Sequence, residues 1–137
     1  MDDADLTQAI CAFLARVPGW AGPDRAEHAT ATTAIFYGRI ADKPDSAIGV
    51  RVYGLGGATD GRETRRVQLR IRGTRDDPSS ADRLAGIART VLEGISRDSG
   101  VNGISHQSFA PLGADSNERD QRTDNYLVVL DNLEATP

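Results

Sequence analysis

Residues 66–78, RVQLRIRGTRDDP, constrain the fold more than any other stretch of the chain. Aliphatic side chains alternate strictly with polar ones here, which is the period of two of a strand with one buried face. The aliphatic residues are Val67, Leu69 and Ile71, and the polar ones are Arg66, Gln68, Arg70 and Arg72. Asp77 then occupies a helix N-cap position and Pro78 the first helical position, where the missing N–H costs nothing. The stretch predicts a two-faced strand followed at once by a helix.

Two segments have the apolar spacing of helices. Apolar residues recur at helical spacing between Leu6 and Val17, with Asp5 as the predicted N-cap and Pro18 after the last of them. The stripe that follows Pro78 predicts the second helix, over about residues 78–97. These helices stand before and after the main strands of the chain.

Four further strand segments and the loops between them complete the predicted sheet. β-branched and aromatic residues over 29–40 and 46–54, joined by the polar turn ADKPD, predict a β-hairpin. The glycine-rich residues 54–63, GLGGATDGRE, predict an exposed loop. Residues 104–110 and 123–133 predict two late strands separated by the polar loop GADSNERDQR.

Together these elements predict an α+β fold in the order α-β-β-β-α-β-β, with two helices packed on one face of a mainly antiparallel sheet. A chain of 137 residues fits one domain, spanning 1–137. No apolar run is long enough for a membrane span, and the N-terminus lacks the basic region of a secretory signal. With Cys11 as its single cysteine, the chain is expected to be cytosolic, without membrane contact or an internal disulfide.

Catalytic signatures are absent from the sequence, so we expect no enzyme activity, no cofactor and no metal. His28 and His106 are the only histidines, no G-x-S-x-G elbow precedes a helix, and no further histidine or cysteine stands at metal-ligand spacing. We interpret both histidines as surface or strand-edge residues, and Cys11 as a packed thiol.

Three motifs that imitate ligand sites fail on their spacing. GLGGATDG lacks the G-K-[ST] ending of a phosphate loop and the third glycine of a dinucleotide fingerprint. The acidic run that starts at Asp115 lacks the glycine and the closing glutamate of a calcium loop. Asp76, Asp77 and Asp82 are explained by their place at a helix N-terminus, where acids complement the macrodipole.

Charge is distributed unevenly along the chain. Fifteen of the sixteen basic residues are arginine, and residues 62–75 hold six of them against Glu63, a local excess of +5. Residues 115–137 hold six acids against two arginines, a local −4. Such opposite patches could meet across a subunit boundary, where the planar guanidinium fixes register.

Nucleic-acid recognition is the competing interpretation of the arginine-rich strand. It would need positive surface to neutralise phosphates, and stacking aromatics for a single-stranded target. Tyr53 is the only nearby aromatic residue, acids flank the strand, and the pI of about 5.1 is far below the range typical of such proteins. A small nucleic-acid-binding module therefore stays open as the alternative from a different class.

Residues 67–95, VQLRIRGTRDDPSSADRLAGIARTVLEGI, resemble the central strand, loop and helix of the small minor capsid or tail terminator proteins of long-tailed bacteriophages. Those proteins often carry a V-Q-[IV]-R-x-R-G strand followed by a D-P or D-x helix start. An N-terminal helix, a β-hairpin and late strands flank this unit in the family, in the order predicted here. The resemblance covers most of the chain by organisation.

The resemblance implies a mechanical role in the virion. A tail terminator forms a homo-oligomeric ring, expected to be a hexamer, on the last ring of the tail tube. It stops polymerisation of the tail tube protein and presents a surface to the head–tail connector protein. Such a protein is assembled in the host cytoplasm and ends in the tail-neck region of the virion. Another head–tail connector or a head-completion protein remains the alternative within this class.

Genomic DNA would pass through the lumen of such a ring without sequence recognition, and an acidic protein repels its phosphates. We expect the arginine-rich strand to contact a neighbouring subunit or the tube, and acids of the late polar loop, or alternatively of the N-terminus, to face the channel. The predicted interface residues are Arg62, Arg65, Arg66, Gln68, Arg70, Arg72 and Arg75. The predicted channel-side acids are Asp115, Glu118 and Asp120.

Overall fold

A long, curled sheet sets the shape of the molecule, because strand accounts for 49% of the chain and helix for 23%. The computed structural model describes residues 1–24, 28, 30–59 and 61–131. Within them the helices are α1 (Asp3–Leu14) and α2 (Ser79–Glu93). The strands are β1 (Trp20–Ala21), β2 (Thr33–Tyr37), β3 (Ala47–Thr59), β4 (Arg62–Arg75), β5 (Ser96–Asp98), β6 (Val101–Ala114) and β7 (Arg119–Leu130).

The seven strands described form one mixed sheet in the order β1-β2-β3-β4-β7-β6-β5. β1 and β2, and β2 and β3, pair in parallel, while every other neighbouring pair is antiparallel. The prediction of a mainly antiparallel sheet in the order α-β-β-β-α-β-β is therefore wrong. The observed order is α-β-β-β-β-α-β-β-β, in a curled mixed half-barrel.

The predicted hairpin between the two early strands is the main error in topology. β2 and β3 lie side by side in parallel, with Ala34 opposite Ala47 and Tyr37 opposite Val50. The connection must then return to the end of the sheet at which β2 begins. Its first residues lie over Gly49, where an added Cβ would come within 2.3 Å of the Gly38 carbonyl oxygen. Gly49 leaves the space that lets the chain cross the sheet.

The glycine-rich segment predicted to be a loop instead continues β3 and begins β4. The two strands form a long hairpin, with register shifts between Val52 and Gly54 and between Leu55 and Ala58. A Cβ on Gly56 would come within 2.4 Å of the Leu127 and Thr64 side chains, so the strands pack closely there. Gly57 has a φ of 87°, which glycine adopts without strain. These glycines bend a strand rather than end one.

Both helices pack against the same face of the sheet and share one apolar core. The alternation in the arginine-rich strand is confirmed, since Val67, Leu69 and Ile71 are fully buried beneath the helices. Cys11 lies in this core as predicted, and burial raises the pKa of its thiol to about 12. Burying one Leu- or Ile-sized side chain stabilises a fold by about 1.5–3 kcal/mol, so this face carries most of the stability.

The helix ends differ from the predicted ones. Asp2, not Asp5, caps α1, because the Asp5 amide donates to Asp2 Oδ1 at 2.7 Å. Asp77 accepts hydrogen bonds from the Ser79 amide and hydroxyl at 3.1 and 2.7 Å, immediately before α2. α2 ends at Glu93, four residues before the predicted end, because the chain turns there into β5.

Replacing Gly49 with alanine should destabilise the crossing connection. The added methyl meets a backbone carbonyl that cannot move without displacing the chain, and overpacking of this kind costs about 1–3 kcal/mol. Urea denaturation followed by circular dichroism would measure it. Gly54→Ala in the same strand is the matched control, since nothing lies within 4 Å of its Cβ, and its effect should stay within about 0.5 kcal/mol. Equal effects of the two variants would contradict this account of the crossing.

Candidate functional site

The arginines predicted to form one outward ladder lie in three different environments. Arg66 and Arg70 are exposed on the helix-free face of β4, with Gln68 half-buried between them. Arg65 lies on the helix side and pairs with Asp3 and Glu63. Three predicted positions remain: Arg62 is half-buried near the hairpin tip, Arg75 pairs with Asp45, and Arg72 is buried.

A groove on the helix-free face gathers the outward arginines. It encloses about 460 Å³, and its lining includes Arg39, Arg51 and Arg70 but no carboxylate among the described residues. The segment 38–40, which crosses the sheet, forms one wall. The guanidinium groups of Arg39 and Arg51 make no hydrogen bond or ion pair within the described part of the chain. The groove is therefore a concave surface of concentrated positive charge.

Neutral side chains position the groove residues without neutralising them. Arg70 Nε donates to Gln121 Oε1 at 2.9 Å, which fixes the guanidinium and leaves its full charge. Gln68 donates to Asn125 Oδ1 at 3.0 Å, and Asn125 in turn donates to Ser108 at 3.0 Å. These contacts cross β4, β7 and β6, so the polar face is held in register by amides and hydroxyls.

Arg72 is buried and holds the connection that crosses the sheet. It is 6% exposed. Its Nε donates to the Asp45 carbonyl oxygen at 2.8 Å, and its Nη2 donates to the carbonyl oxygens of Ala41, Asp42 and Pro44 at 2.8, 3.2 and 2.7 Å. Burial and the charge of the nearby Arg119 lower the pKa of Arg72. All of these acceptors belong to the connection itself, so Arg72 stabilises the fold.

A second buried arginine, Arg119, binds the same connection from β7. Its guanidinium donates to the carboxylates of Asp42, Asp45 and Asp115 at 3.1, 3.2 and 2.9 Å, and to the Asp42 carbonyl oxygen at 2.7 Å. Burial by itself would lower the pKa of Arg119, but these carboxylates raise it. Arg72 and Arg119 form the arginine clamp of residues 41–45.

The three acids predicted to line a channel are brought together at one turn, but they differ in what they contact. Asp115 closes the β6–β7 turn, because the amides of Asn117 and Arg119 donate to its Oδ1 at 2.9 and 3.0 Å. Glu118 is exposed at the tip, and Asp120 is half-buried at the start of β7. Within the described residues, neither of the latter two carboxylates has a hydrogen bond or ion pair.

A polar network beneath α2 was not foreseen from the sequence. His106 Nε2 lies 2.9 Å from Asp124 Oδ2, and Asp124 is 1% exposed. Arg122 binds both oxygens of Asp124 at 2.7 and 2.9 Å, binds Asp82 at 2.9 Å, and lies 4.2 Å over the Phe109 ring. Of the two histidines interpreted as surface or strand-edge residues, His28 is instead buried, whereas His106 is half-buried in β6, where that strand pairs with β7 alone among the described residues.

Next to this network, Tyr126 is buried without a hydrogen-bond partner for its hydroxyl within the described part of the chain. Burial first, and then the nearby charges of Asp124 and Glu93, raise its pKa. The network links β6, β7 and α2.

Among the described residues, both sides of the sheet end in long strand edges to which no further strand is paired. β2 covers β3 only over Ala47–Val50, so residues 51–59 of β3 pair with β4 alone. β5 covers β6 only as far as Gly103, so residues 104–114 of β6 pair with β7 alone. Large apolar side chains lie exposed along these edges: Tyr53 (48%) and Leu55 (72%) on β3, and Phe109 (58%) and Leu112 (47%) on β6. Such edges are sites at which another chain can add a strand.

The described residues contain no group of three or more histidines, cysteines or acids placed to hold a metal ion. Within the same residues, no helix has the length and apolar character needed to cross a bilayer.

Comparison with protein families decides between the classes left open by the sequence. Residues 21–132, from β1 to just past β7, match the family model described as bacteriophage tail terminator protein. The chain belongs to the bacteriophage tail terminator family. A comparison with individual curated proteins gave no match. The family resemblance predicted from residues 67–95 is confirmed, and this terminator is a structural virion protein that associates with tail components.

Replacing Arg119 with methionine should destabilise the terminator by about 2–3 kcal/mol, because three carboxylates would face one another without their shared cation. The expected loss is below that of a fully buried pair, since Asp42 is 67% exposed and partly screened by water. Arg66→Met, at an exposed position without an ion pair, is the control and should change stability by less than about 0.5 kcal/mol. Thermal and urea unfolding would measure both variants, and an unaffected Arg119→Met protein would exclude the clamp as a stabilising element.

Asp115 should make stability depend on pH in acid. Burial raises the pKa of Asp115, but hydrogen bonds from Arg119 and Asn117 outweigh it and lower the pKa below its ordinary value of 3.8. A carboxyl with a lowered folded pKa stabilises the fold fully above its unfolded pKa, and this contribution is lost as the pH falls through the folded pKa. The stability difference between the natural protein and Asp115→Asn should therefore be constant from about pH 7 to pH 5 and shrink below about pH 4. Urea unfolding across this range would measure it, and a difference that grew in acid would contradict the assignment.

Proposed function

We propose that this terminator assembles as a hexameric ring on the last ring of the tail tube. The ring stops further addition of tail tube protein and presents its opposite surface to the head–tail connector protein, in the neck of the virion. Assembly takes place in the host cytoplasm, before the tail joins the filled head. One observation carries the proposal: a single curled sheet has two long unpaired edges, on opposite sides, each with exposed apolar side chains.

The direction of the edge strands supports a ring. β7 runs parallel to β3, because both are antiparallel to β4, and β6 runs antiparallel to β7. When two copies stand side by side in the same orientation, β6 of one therefore meets β3 of the next as an antiparallel pair. Such a contact uses different surfaces on the two partners, and it closes into a ring when the rotation between copies divides a full circle.

Exposed apolar residues strengthen the case for these edges. Unpaired N–H and C=O groups beside exposed Leu55 and Leu112 are a liability in an isolated protein. Pairing them buries the apolar side chains and satisfies the backbone groups. The free β6 edge is protected at His106, where Glu93 Oε2 accepts from the His106 amide at 3.2 Å.

The interface and channel residues predicted from the sequence remain part of the proposal in a narrower form. Arg66, Gln68 and Arg70 face outward and can reach a neighbour, whereas Arg65, Arg72 and Arg75 act through contacts within the chain. Arg62 lies at the start of β4, next to the free β3 edge.

The lumen is proposed to carry genomic DNA without reading its sequence. The net charge of −4 keeps phosphates from adhering to the ring. Asp115 is bound to Arg119, so among the predicted channel-side acids Glu118 and Asp120 are the ones whose charge is available to DNA or to a neighbour.

Tail length tests the function directly. Deletion of the gene from its phage should give overlong, headless tails in negative-stain electron micrographs, because nothing ends tube growth. Separate heads and tails of normal length would instead indicate a connector that acts later. Normal infectious particles would exclude both roles.

Substitutions on the free edges of β3 and β6 test whether these edges form the ring contacts. Leu55→Lys and Leu112→Lys place a charge on each free edge and should reduce complementation of the deletion at least tenfold, with overlong tails. Ile87→Lys is the matched control, since Ile87 is similarly exposed (43%) but lies on α2. Equal complementation by all three variants would exclude the two edges as the ring contacts.

A further inference from the structure

The arginine groove holds more positive charge than the chain itself compensates. Arg39, Arg51 and Arg70 line one concave surface. Among the described residues, the only hydrogen-bond acceptor of their guanidinium groups is the neutral Gln121. The buried Arg72 adds a fourth positive charge to the same lining. Most arginines on the helix side of the sheet, by contrast, have carboxylate partners within the chain. Like charges gathered without a counter-ion repel one another, and an anion in the groove removes that repulsion.

The end of the sheet at which β4 passes into α2 has the opposite excess. The Asp76 amide donates to the Glu118 carbonyl oxygen at 2.9 Å, which brings the β4–α2 turn and the β6–β7 turn together. Asp76, Asp77, Glu118 and Asp120 gather there, and none of them forms an ion pair within the described part of the chain. We name these four residues the acidic tip.

The two surfaces occupy complementary places in the sheet. The groove lies on the helix-free face beside the free β3 edge, walled by residues 38–40. The acidic tip lies where the free β6 edge ends. If β6 of one copy runs antiparallel to β3 of the next, its end points toward the start of β3. That is the part of the neighbour where Arg39 and Arg51 border the groove.

We propose that the arginine groove of one terminator subunit binds the acidic tip of the next subunit, through Glu118 and Asp120. This rests on the proposed ring and specifies its contact. Arg70 is held through Nε, which leaves both terminal nitrogens to meet a carboxylate side by side, the geometry that guanidinium favours. Glu118 and Asp120 then lie at a subunit boundary and not bare in the lumen.

The test is a charge exchange in the full-length protein. One variant reverses the charge of the groove with Arg51→Glu and Arg70→Glu. A second reverses the charge of the acidic tip with Glu118→Arg and Asp120→Arg. A third variant carries all four substitutions. The four-fold variant keeps the net charge of −4. The control, Arg83→Glu with Arg97→Glu, reverses two exposed arginines outside the groove lining. Circular dichroism checks that each variant is folded. Each variant is expressed in phage that lack the gene, and tail length and titre are measured.

Each variant with two charge reversals should lower the titre at least a hundredfold and give overlong tails. The variant with all four substitutions should restore at least a tenth of the normal titre. The control should behave as the natural protein does. Failure of the four-fold variant to recover would overturn the proposal, because the groove would then meet a different acidic partner. Normal tails with the reversed groove would also overturn it.

Two further results separate this inference from the proposed function. Tails of normal length in phage that lack the gene would contradict the proposed terminator function, whatever the groove binds. Fluorescence anisotropy with a 30-base-pair DNA duplex should show weak binding that the groove reversal does not change. A steep loss of duplex binding on reversal would mean that the groove takes phosphates and not a neighbour's carboxylates.

Discussion

The arginine clamp is the interaction on which the rest of the structure depends. Arg72 and Arg119 come from different strands and bind the same connection, residues 41–45, through carbonyl oxygens and carboxylates. Backbone carbonyls buried without donors would be costly, and the Arg72 guanidinium satisfies four of them at once. The clamp therefore holds the connection that brings the chain back across the sheet, so that β3 starts beside the start of β2.

One functional feature follows from that crossing. The crossing segment 38–40 becomes the wall of the arginine groove, and it occupies the space that Gly49 leaves. The free edge has a different cause, since β2 has only five residues and covers β3 over Ala47–Val50. In a tail terminator, changes in the clamp should reach assembly through this groove.

The sequence predicted features that local patterns determine, and it failed where pairing is decided by distant residues. The buried face of β4 follows from strict alternation at Val67, Leu69 and Ile71, and both helices follow from apolar spacing. The pairing of β2 with β3 could not be predicted in this way. ADKPD is a good hairpin turn by composition, and its contacts with Arg72 and Arg119 come from residues 27 to 77 positions away. The glycines of 54–63 were misread for a similar reason, since the close packing at Gly56 against Leu127 is a long-range contact.

The sequence predicted that the candidate site is a charged surface, but it did not predict which arginines lie on it. An excess of arginine over 62–75 indicated a charged surface, yet alternation alone cannot tell an outward Arg70 from a buried Arg72 one repeat later. The difference lies in what covers the helix-free face at each position, which is the crossing segment and its carbonyls. The His106–Asp124–Arg122 network was missed because its members meet only when β6 and β7 pair beneath α2.

Finite assembly requires surfaces that bind a neighbour and then stop. A flat sheet with two free edges would add copies without limit, as in fibres, whereas a curled sheet turns each copy by a fixed angle and can close. In this terminator the curl comes with register shifts in β3 and β6, the two strands with free edges, and such bulges increase the local twist. Charge adds a second condition, since a groove and a tip of opposite sign favour one register and disfavour like-with-like contacts. In a closed ring of this kind, every free strand edge would be paired with a neighbouring subunit. No edge would then be left to add further copies, as the end of tube growth requires.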